Sequence, residues 1–430
     1  MERMTATGSL AASMPRAVDL SVRRRYLVSG AYGLLGGLSL LAFGIGTNSG
    51  EDARFGLTLE GARFSVPDLV LPARPTAIAL SLLVVLVGAV RFVRADPGRL
   101  AGWLTGAALA SLLGAFMCWS VADNEVSLVG IAQGTLFLSI PLVLGALSGV
   151  LCERAGVINI NIEGQFLVGA FAAAFAATVT GSLWVGLICG CLAGGLLSLA
   201  LAVFAIRYLV DQVILGVVLN VFALGLTGFL YDRVLQPNAE SYNSPGIFKS
   251  IKIPVLGDLP VVGPVLFDSN IFLYLTYLLL VIIHIGLFHT RWGLRVRAVG
   301  EHPTAADTVG IRVLATRYRN VLYGGLVAGL GGAFFTIGSV GAFGKNMTSG
   351  KGFIALAALI FGRWSPLGSL AAALVFGFAD QIQLVLTTIG TPIPSQFMLM
   401  APYLATIFAV AGLVGKVRAP KADGKPYVKS

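Results

Sequence analysis

The chain has 430 residues, 56% of them hydrophobic and only 12% charged, with a formal net charge of +10. Soluble domains are about a quarter charged, so too little polar surface remains here to face water, and a soluble fold is excluded. A nucleic-acid binder is excluded as well, because it gathers Lys and Arg on one face; here they lie between apolar runs, where membrane proteins set them opposite anionic lipid headgroups.

A helix needs about 20 residues to cross ~30 Å of hydrocarbon. The first twenty residues lack the apolar core of a cleavable signal, and Arg23-Arg24-Arg25 reads as a cytoplasmic anchor for the first span. Apolar runs predict spans near 26–48, 76–92 and 100–120, which make an N-terminal extension over 1–126. Further runs near 127–150, 157–180, 183–206, 211–231, 270–290, 318–341, 366–388 and 397–415 make a core over 127–415. A twelfth segment, 352–362, is too short to cross comfortably alone and suits a re-entrant element. The expected fold is an all-α polytopic membrane protein with 11 or 12 hydrophobic segments, followed by a disordered cytoplasmic tail over 416–430.

Orientation follows from the bias of Lys and Arg toward the cytoplasm. If all twelve segments cross and both termini are cytoplasmic, 22 of the 30 basic residues fall inside and eight outside. The long connections 49–75 and 232–269 are then external, and 291–317 is a cytoplasmic loop. In the second external connection, Ile251-Lys252-Ile253-Pro254-Val255-Leu256 and Leu259-Pro260-Val261-Val262 are apolar enough to lie on the membrane or cap a cavity. Small residues let spans approach closely, and Gly145-x-x-x-Gly149 and Gly325-x-x-x-Gly329 have that spacing. Cys118, Cys152, Cys189 and Cys191 show no metal-ligand spacing and read as small apolar residues.

Three constellations carry polar chemistry. In the stretch 153–165, Asn159, Asn161 and Glu163 alternate with Val157, Ile158, Ile160 and Ile162, a period that a regular helix does not favour. This predicts an irregular backbone leading into a helix near Ile162, which either lines a translocation path or turns in solvent. In the cytoplasmic loop, Gly300, Glu301, Pro303, Ala305, Ala306, Asp307 and Gly310 outline a two-turn helix from Pro303 to Val309. Pro suits its first position and Gly the residue beyond its end; such a rigid element can receive a push from a soluble motor. The third set is the intramembrane polar residues Gln133, Asp211, Gln212, Asn220, His284, Asp380, Gln381 and Gln383. Ionisable and polar groups at such depth mark pathways, and Asn220, Asp380 and Gln381 join Asn159, Asn161 and Glu163 as candidate path residues. No Gly-x-x-x-x-Gly-Lys-Ser/Thr phosphate loop occurs, nor any catalytic, cofactor or metal-binding pattern.

The stretch Leu147-Ser148-Gly149-Val150-Leu151-Cys152-Glu153-Arg154-Ala155-Gly156-Val157-Ile158-Asn159-Ile160-Asn161-Ile162-Glu163-Gly164-Gln165 resembles permease subunits of ABC importers. Those importers carry branched-chain amino acids, ribose-type sugars and nucleosides. The loop 297–311, Gly350-Lys351-Gly352-Phe353-Ile354-Ala355-Leu356-Ala357 and Phe361-Gly362-Arg363-Trp364-Ser365-Pro366-Leu367-Gly368 are similar to that family in the same order. The Glu-Arg-Ala-Gly-Val-Ile-Asn-Ile form, and the Ile-Pro-x-Leu-Gly-Asp-x-Pro-x-x-Gly-Pro pattern from Ile253 to Pro264, resemble its nucleoside and simple-sugar branch; Asn161 departs, standing where Gly is expected. The resemblance implies a second permease subunit, different from this one, and two cytosolic ATPases that hold the ATP and Mg and dock on 303–309. It also implies a binding lipoprotein or periplasmic protein that delivers solute, and residence in the bacterial inner membrane. A proton- or sodium-coupled carrier with Glu163 and Asp380 as relays would need no motor-docking helix. A membrane enzyme would need clustered Asp, His or Arg that this chain lacks.

Overall fold

A computed structural model describes residues 17–48, 50–59, 65–94, 100–390, 400 and 419–429, with side chains from Tyr26 onward. The chain divides into two compact units, one comprising Met1–Leu57 with Val66–Ser127 and the other Thr58–Ser65 with Leu128–Ser430. Ten helices among the described residues are long and apolar enough to cross a membrane. The protein is therefore a polytopic, predominantly α-helical membrane protein; the span expected near 397–415 lies outside the described residues.

The first unit holds three spans: α1 (Ala17–Ser39, continuing as a π-helical turn over Leu40–Ile45), α2 (Ala73–Val93) and α3 (Leu100–Ser120). The connection read from sequence as loop contains strands β1 (Asp52–Gly56) and β2 (Leu69–Pro72). They pair antiparallel, and β1 pairs in parallel with β3 (Glu125–Ser127). Phe55 is buried on β1 while Arg54 beside it is exposed, the alternation of a strand with one covered face.

In the second unit the helices are α4 (Leu128–Glu153), α5 (Ile162–Thr180), α6 (Leu183–Ala202) and α7 (Gln212–Leu230). The long connection to the next span follows with α8 (Ala239–Tyr242), β4 (Ile251–Lys252), α9 (Val262–Phe267) and β5 (Asp268–Ser269). Then come α10 (Ile271–His289), α11 (Arg291–Glu301), α12 (Pro303–Thr308), α13 (Val313–Ala333, extended by a π-helical stretch, Phe334–Val340), α14 (Lys351–Phe361) and α15 (Pro366–Thr388). The apolar segments of the connection 232–269 stay open to the surroundings, with Val255 77% exposed.

Spans α4 and α13 are the most enclosed, 83% and 78% buried over their apolar windows, so they form the centre. Glycines set their neighbours. A Cβ on Gly329 would stand 2.4 Å from the Gly190 carbonyl oxygen, and one on Gly194 would stand 2.5 Å from that of Gly325. Backbones of α6 and α13 thus touch where hydrocarbon supplies no hydrophobic drive and only close packing holds helices together. The Gly325-x-x-x-Gly329 spacing lies in this contact. Gly145 and Gly149 of α4 likewise admit Ala355, Phe166 and Leu359 from α14 and α5.

Two crossings in this unit are broken. After Glu153 the chain leaves helical geometry and folds back, and Ile162 at the start of α5 packs beside Gly145 and Gly149. Those residues lie four to eight positions before the end of α4, about 6–12 Å along its axis. The second break is 341–350, non-helical up to α14. Helix α14 has 11 residues, about 16 Å of rise, roughly half of a crossing. Its far end is fixed at the end of α4 by Arg154, which donates through Nε to the Trp364 carbonyl at 2.9 Å.

The stretch read as a plain cytoplasmic loop is the amphipathic helix α11, with Gly293, Val296, Val299 and Gly300 turned inward, followed directly by α12. The tail expected to be disordered is also corrected: residues 419–429 are packed, with Ala422 and Tyr427 buried.

Candidate functional site

The polar stretch around 153–165 is almost wholly enclosed. Asn159 and Asn161 are 0% exposed, Glu163 6% and Asn220 8%, so none of these groups turns in solvent. Asn159 and Gln165 bond each other reciprocally, Nδ2 to Oε1 at 3.1 Å and Nε2 to Oδ1 at 3.3 Å. Asn220 of α7 accepts from the Gly164 N–H at 2.7 Å and donates to the Ile160 carbonyl at 2.9 Å. Gln212, beside the Asp211 N-cap of α7, accepts from the Ile158 N–H at 2.8 Å. Asn220 and Gln212 satisfy backbone groups that the break in the helix leaves open, as any non-helical backbone at membrane depth requires.

Glu163 joins the two broken crossings. Its Oε1 accepts from the Thr348 hydroxyl at 2.5 Å and the Gly350 N–H at 2.8 Å, and its Oε2 from the Gly352 N–H at 2.6 Å. The carboxylate thus caps α14 from the first turn of α5, where free N–H groups and the helix dipole favour negative charge. One residue on, Lys351 pairs with Asp380 of α15. Asn161 differs from its neighbours: its side chain lies over Gly164 next to Asn220, and both of its polar side-chain atoms are buried with no hydrogen-bond partner.

Of the six sequence-identified polar residues, Asn159, Asn161, Glu163 and Asn220 therefore share one junction, and Asp380 is joined to it through Lys351. Gln381 stands apart. It lies against Gly134 of α4, which lines an open cavity of about 460 Å³ together with Gln133, Phe137, Phe248, Asp268 and Asn270. Of its lining only Gln133 stood out in the sequence, because the walls come from four separated stretches, within 130–137, 247–250, 268–270 and 338–339.

At the opposite end, the Glu153 carboxylate takes the Trp364 indole N–H. The first and last quoted motifs thus meet here, as the first and third meet at Glu163. Gly300 of α11 sits so close to the Arg154 carbonyl that a Cβ would stand 2.2 Å from it. Pro303 opens α12 and Gly310, at φ +84°, follows it. Glu301, Ala305 and Gly310 are exposed, and Asp307 is half-buried. Ala306 is turned inward, 3% exposed, against Val299, Val313 and Tyr427. Of the two alanines named from the sequence, Ala306 anchors α12 from within and Ala305 is the outward small residue, beside Val309 at 75% exposure.

Residues of the terminal segment complete this end, and sequence reasoning missed them. The Asp423 carboxyl meets that of Glu153. Burial holds Asp423 well above the usual carboxylate range, against the lowering pull of Glu153 and Arg317.

Broken crossings closed by buried polar side chains, and a short capped helix on a loop between spans, define a membrane permease with no catalytic constellation among the described residues. The chain belongs to the family described as "Branched-chain amino acid transport system / permease component", which matches residues 131–414. The guanosine ABC transporter permease protein NupQ of Bacillus subtilis (strain 168) is 43% identical over 310 residues, 70% of this chain and 96% of that protein. The nucleoside ABC transporter permease protein NupC of Lactococcus lactis subsp. cremoris (strain MG1363) is 37% identical over 309 residues, 70% of this chain and 97% of the relative. The guanosine ABC transporter permease protein NupP of Bacillus subtilis (strain 168) is 26% identical over 337 residues, 76% of this chain and 94% of the relative. No solved structure matches the chain. The protein is thus a multi-pass permease subunit of an ABC transporter, a transport subunit and not an enzyme.

Proposed function

We propose that this chain is one of two non-identical permease subunits of a nucleoside importer in the bacterial inner membrane, with both termini cytoplasmic. The observation that carries the substrate class is the 43% identity to NupQ, across nearly the whole of that protein. NupQ and NupP come from one organism, and this chain matches them at 43% and 26%, which supports a pair of unlike permeases. In this reading an extracytoplasmic binding protein delivers solute, and the path runs past Asn159, Asn161, Glu163 and Asn220 toward Asp380 and Gln381. The unpartnered amide of Asn161 has the free hydrogen-bonding capacity to meet a polar solute. Labelled guanosine should enter cells expressing the complete transporter and be competed by other nucleosides; competition by free sugars alone would overturn the nucleoside reading.

Two cytosolic ATPases, which hold the ATP and Mg, dock in this reading on Glu301, Pro303, Ala305, Asp307 and Gly310, with the inward-facing Gly300 and Ala306 supporting the helix from within. Ala305→Trp places a large ring on the exposed face of α12. Overpacking a close contact costs ~1–3 kcal/mol, or roughly 5- to 150-fold in a binding equilibrium at 1.4 kcal/mol per tenfold. ATPase recovered with the purified permease pair should fall by that factor while the permeases themselves stay assembled. Full ATPase recovery would remove α12 from the docking surface.

The orientation rests on the 22-to-8 division of basic residues. A cysteine introduced at the exposed Ser244 (Ser244→Cys) should react with an impermeant thiol reagent in intact spheroplasts. Reaction only after permeabilisation would invert the topology.

A further inference from the structure

Helix α12 has six residues, too few to hold a helical shape alone, so what lies beneath it decides where it points. Its inward residue Ala306 rests on Val299, Val313 and Tyr427, and the Tyr427 hydroxyl faces the Asp307 carboxylate. The segment that supplies Tyr427 is itself tied down at several elements. The Ala422 N–H donates to the Gly300 carbonyl at 2.9 Å, at the end of α11. Arg317 of α13, 1% exposed, donates through Nη1 to the Lys425 carbonyl at 3.0 Å. Its Nε and Nη2 have no hydrogen-bond partner, and Asp423 is the opposite charge facing it. Asp423 also meets Glu153 at the end of α4. Gly424, at φ +72°, passes so near Ile158 that a Cβ would lie 2.6 Å from its Cδ1. One short segment thus touches both the underside of α12 and the turn where α4 breaks toward α5.

We infer that residues 419–429 are a positioning brace for transport: seated between α12 and the 153–158 turn, they transmit movement of the coupling helix to the broken crossing. Tyr427 sets the height of α12, while Asp423 and the Lys425 carbonyl hold the segment on Arg317. Without the segment, α12 would lose Tyr427 from beneath Ala306, and Arg317 would lose both its hydrogen-bond acceptor and its counter-charge. This inference rests on α12 being the ATPase contact.

The test uses the complete transporter, with partner permease, ATPases and binding protein, reconstituted in liposomes, and reads solute accumulated per ATP hydrolysed. Gly424→Val disturbs the seat by forcing a β-branched residue to φ +72° and pushing the Ile158 side chain aside; Tyr427→Ala removes the support under Ala306; Tyr427→Phe keeps the ring. Networks that link two sites change their coupling by amounts equivalent to about 2- to 30-fold when disrupted. Gly424→Val and Tyr427→Ala should lower solute per ATP by that factor, with partner permease and ATPases still copurifying, and Tyr427→Phe should restore the wild-type ratio. If Gly424→Val does not accumulate, the two Tyr427 variants decide. An unchanged ratio in Tyr427→Ala overturns the brace. Loss of the ATPases from Tyr427→Ala overturns it too, because the segment is then part of the docking surface. Failure of the coupling reading itself shows elsewhere, in full ATPase recovery with Ala305→Trp.

Discussion

Gly329→Val is expected to leave no permease that purifies in folded form. A Cβ at this position would stand 2.4 Å from the Gly190 carbonyl oxygen and 2.8–2.9 Å from the carbonyl oxygen and Cα of Cys191. These are backbone atoms of α6, so no side-chain rotation relieves the clash; the helices must separate. Separation also breaks the contact with α5, where Gly169 lies against the Gly329 carbonyl. Overpacking costs ~1–3 kcal/mol when side chains can yield, and here the cost is about 3 kcal/mol or more, a large share of an ordinary stability of roughly 5–15 kcal/mol. Gly102→Val is the control, since nothing lies within 4 Å of a Cβ there. Fluorescence-detected size exclusion should show a monodisperse peak for Gly102→Val and none for Gly329→Val. A folded Gly329→Val protein with an unchanged melting temperature would contradict the packing of α5, α6 and α13.

Glu163→Gln should assemble but lose thermal stability and most of its uptake. The carboxylate receives three hydrogen bonds, two of them from backbone N–H groups at the start of α14. An amide in its place offers one oxygen and one NH2 group, so in either orientation at least one backbone N–H meets another donor. An orphaned buried donor costs ~1–3 kcal/mol, and the lost charge at the helix N-terminus adds about 0.3–1 kcal/mol, up to ~2 in partly buried geometry. The effect belongs to α14 and its seat on α5, so the ATPases should stay bound at α12 while uptake falls about tenfold. Normal uptake with an unchanged melting temperature would mean that the capping bonds do not hold the junction. Loss of partner-permease binding instead would move the role of Glu163 to the subunit interface.

Much of this architecture was legible in the sequence, because crossing a bilayer demands long apolar runs and those runs are visible without partners. The capped helix from Pro303 was legible for a similar reason: Pro and Gly mark its ends through their own backbone restrictions. What escaped notice depends on distant partners. Glu163 could be read as polar and out of place, but its donors lie 185 to 189 residues away. Ala422, Asp423, Gly424 and Tyr427 show no periodic pattern, and their places are set by Gly300, Arg317 and Ile158, more than a hundred residues upstream. Ala305 and Ala306 are alike in the sequence, and a helix of six residues does not reveal which of them is covered. Strands β1 and β2 are only five and four residues long, too short for a clear alternation within the connection 49–75.

The half-length of α14 also bears on how the chain enters the bilayer. A segment of 11 residues cannot partition on its own, since its leading N–H groups would enter hydrocarbon unsatisfied at several kcal/mol each. Their acceptor, Glu163, is synthesised nearly two hundred residues earlier and lies on a span that is long enough to insert first. The order of the chain suits this requirement: the acceptor that α14 needs on its leading N–H groups is made before α14 itself.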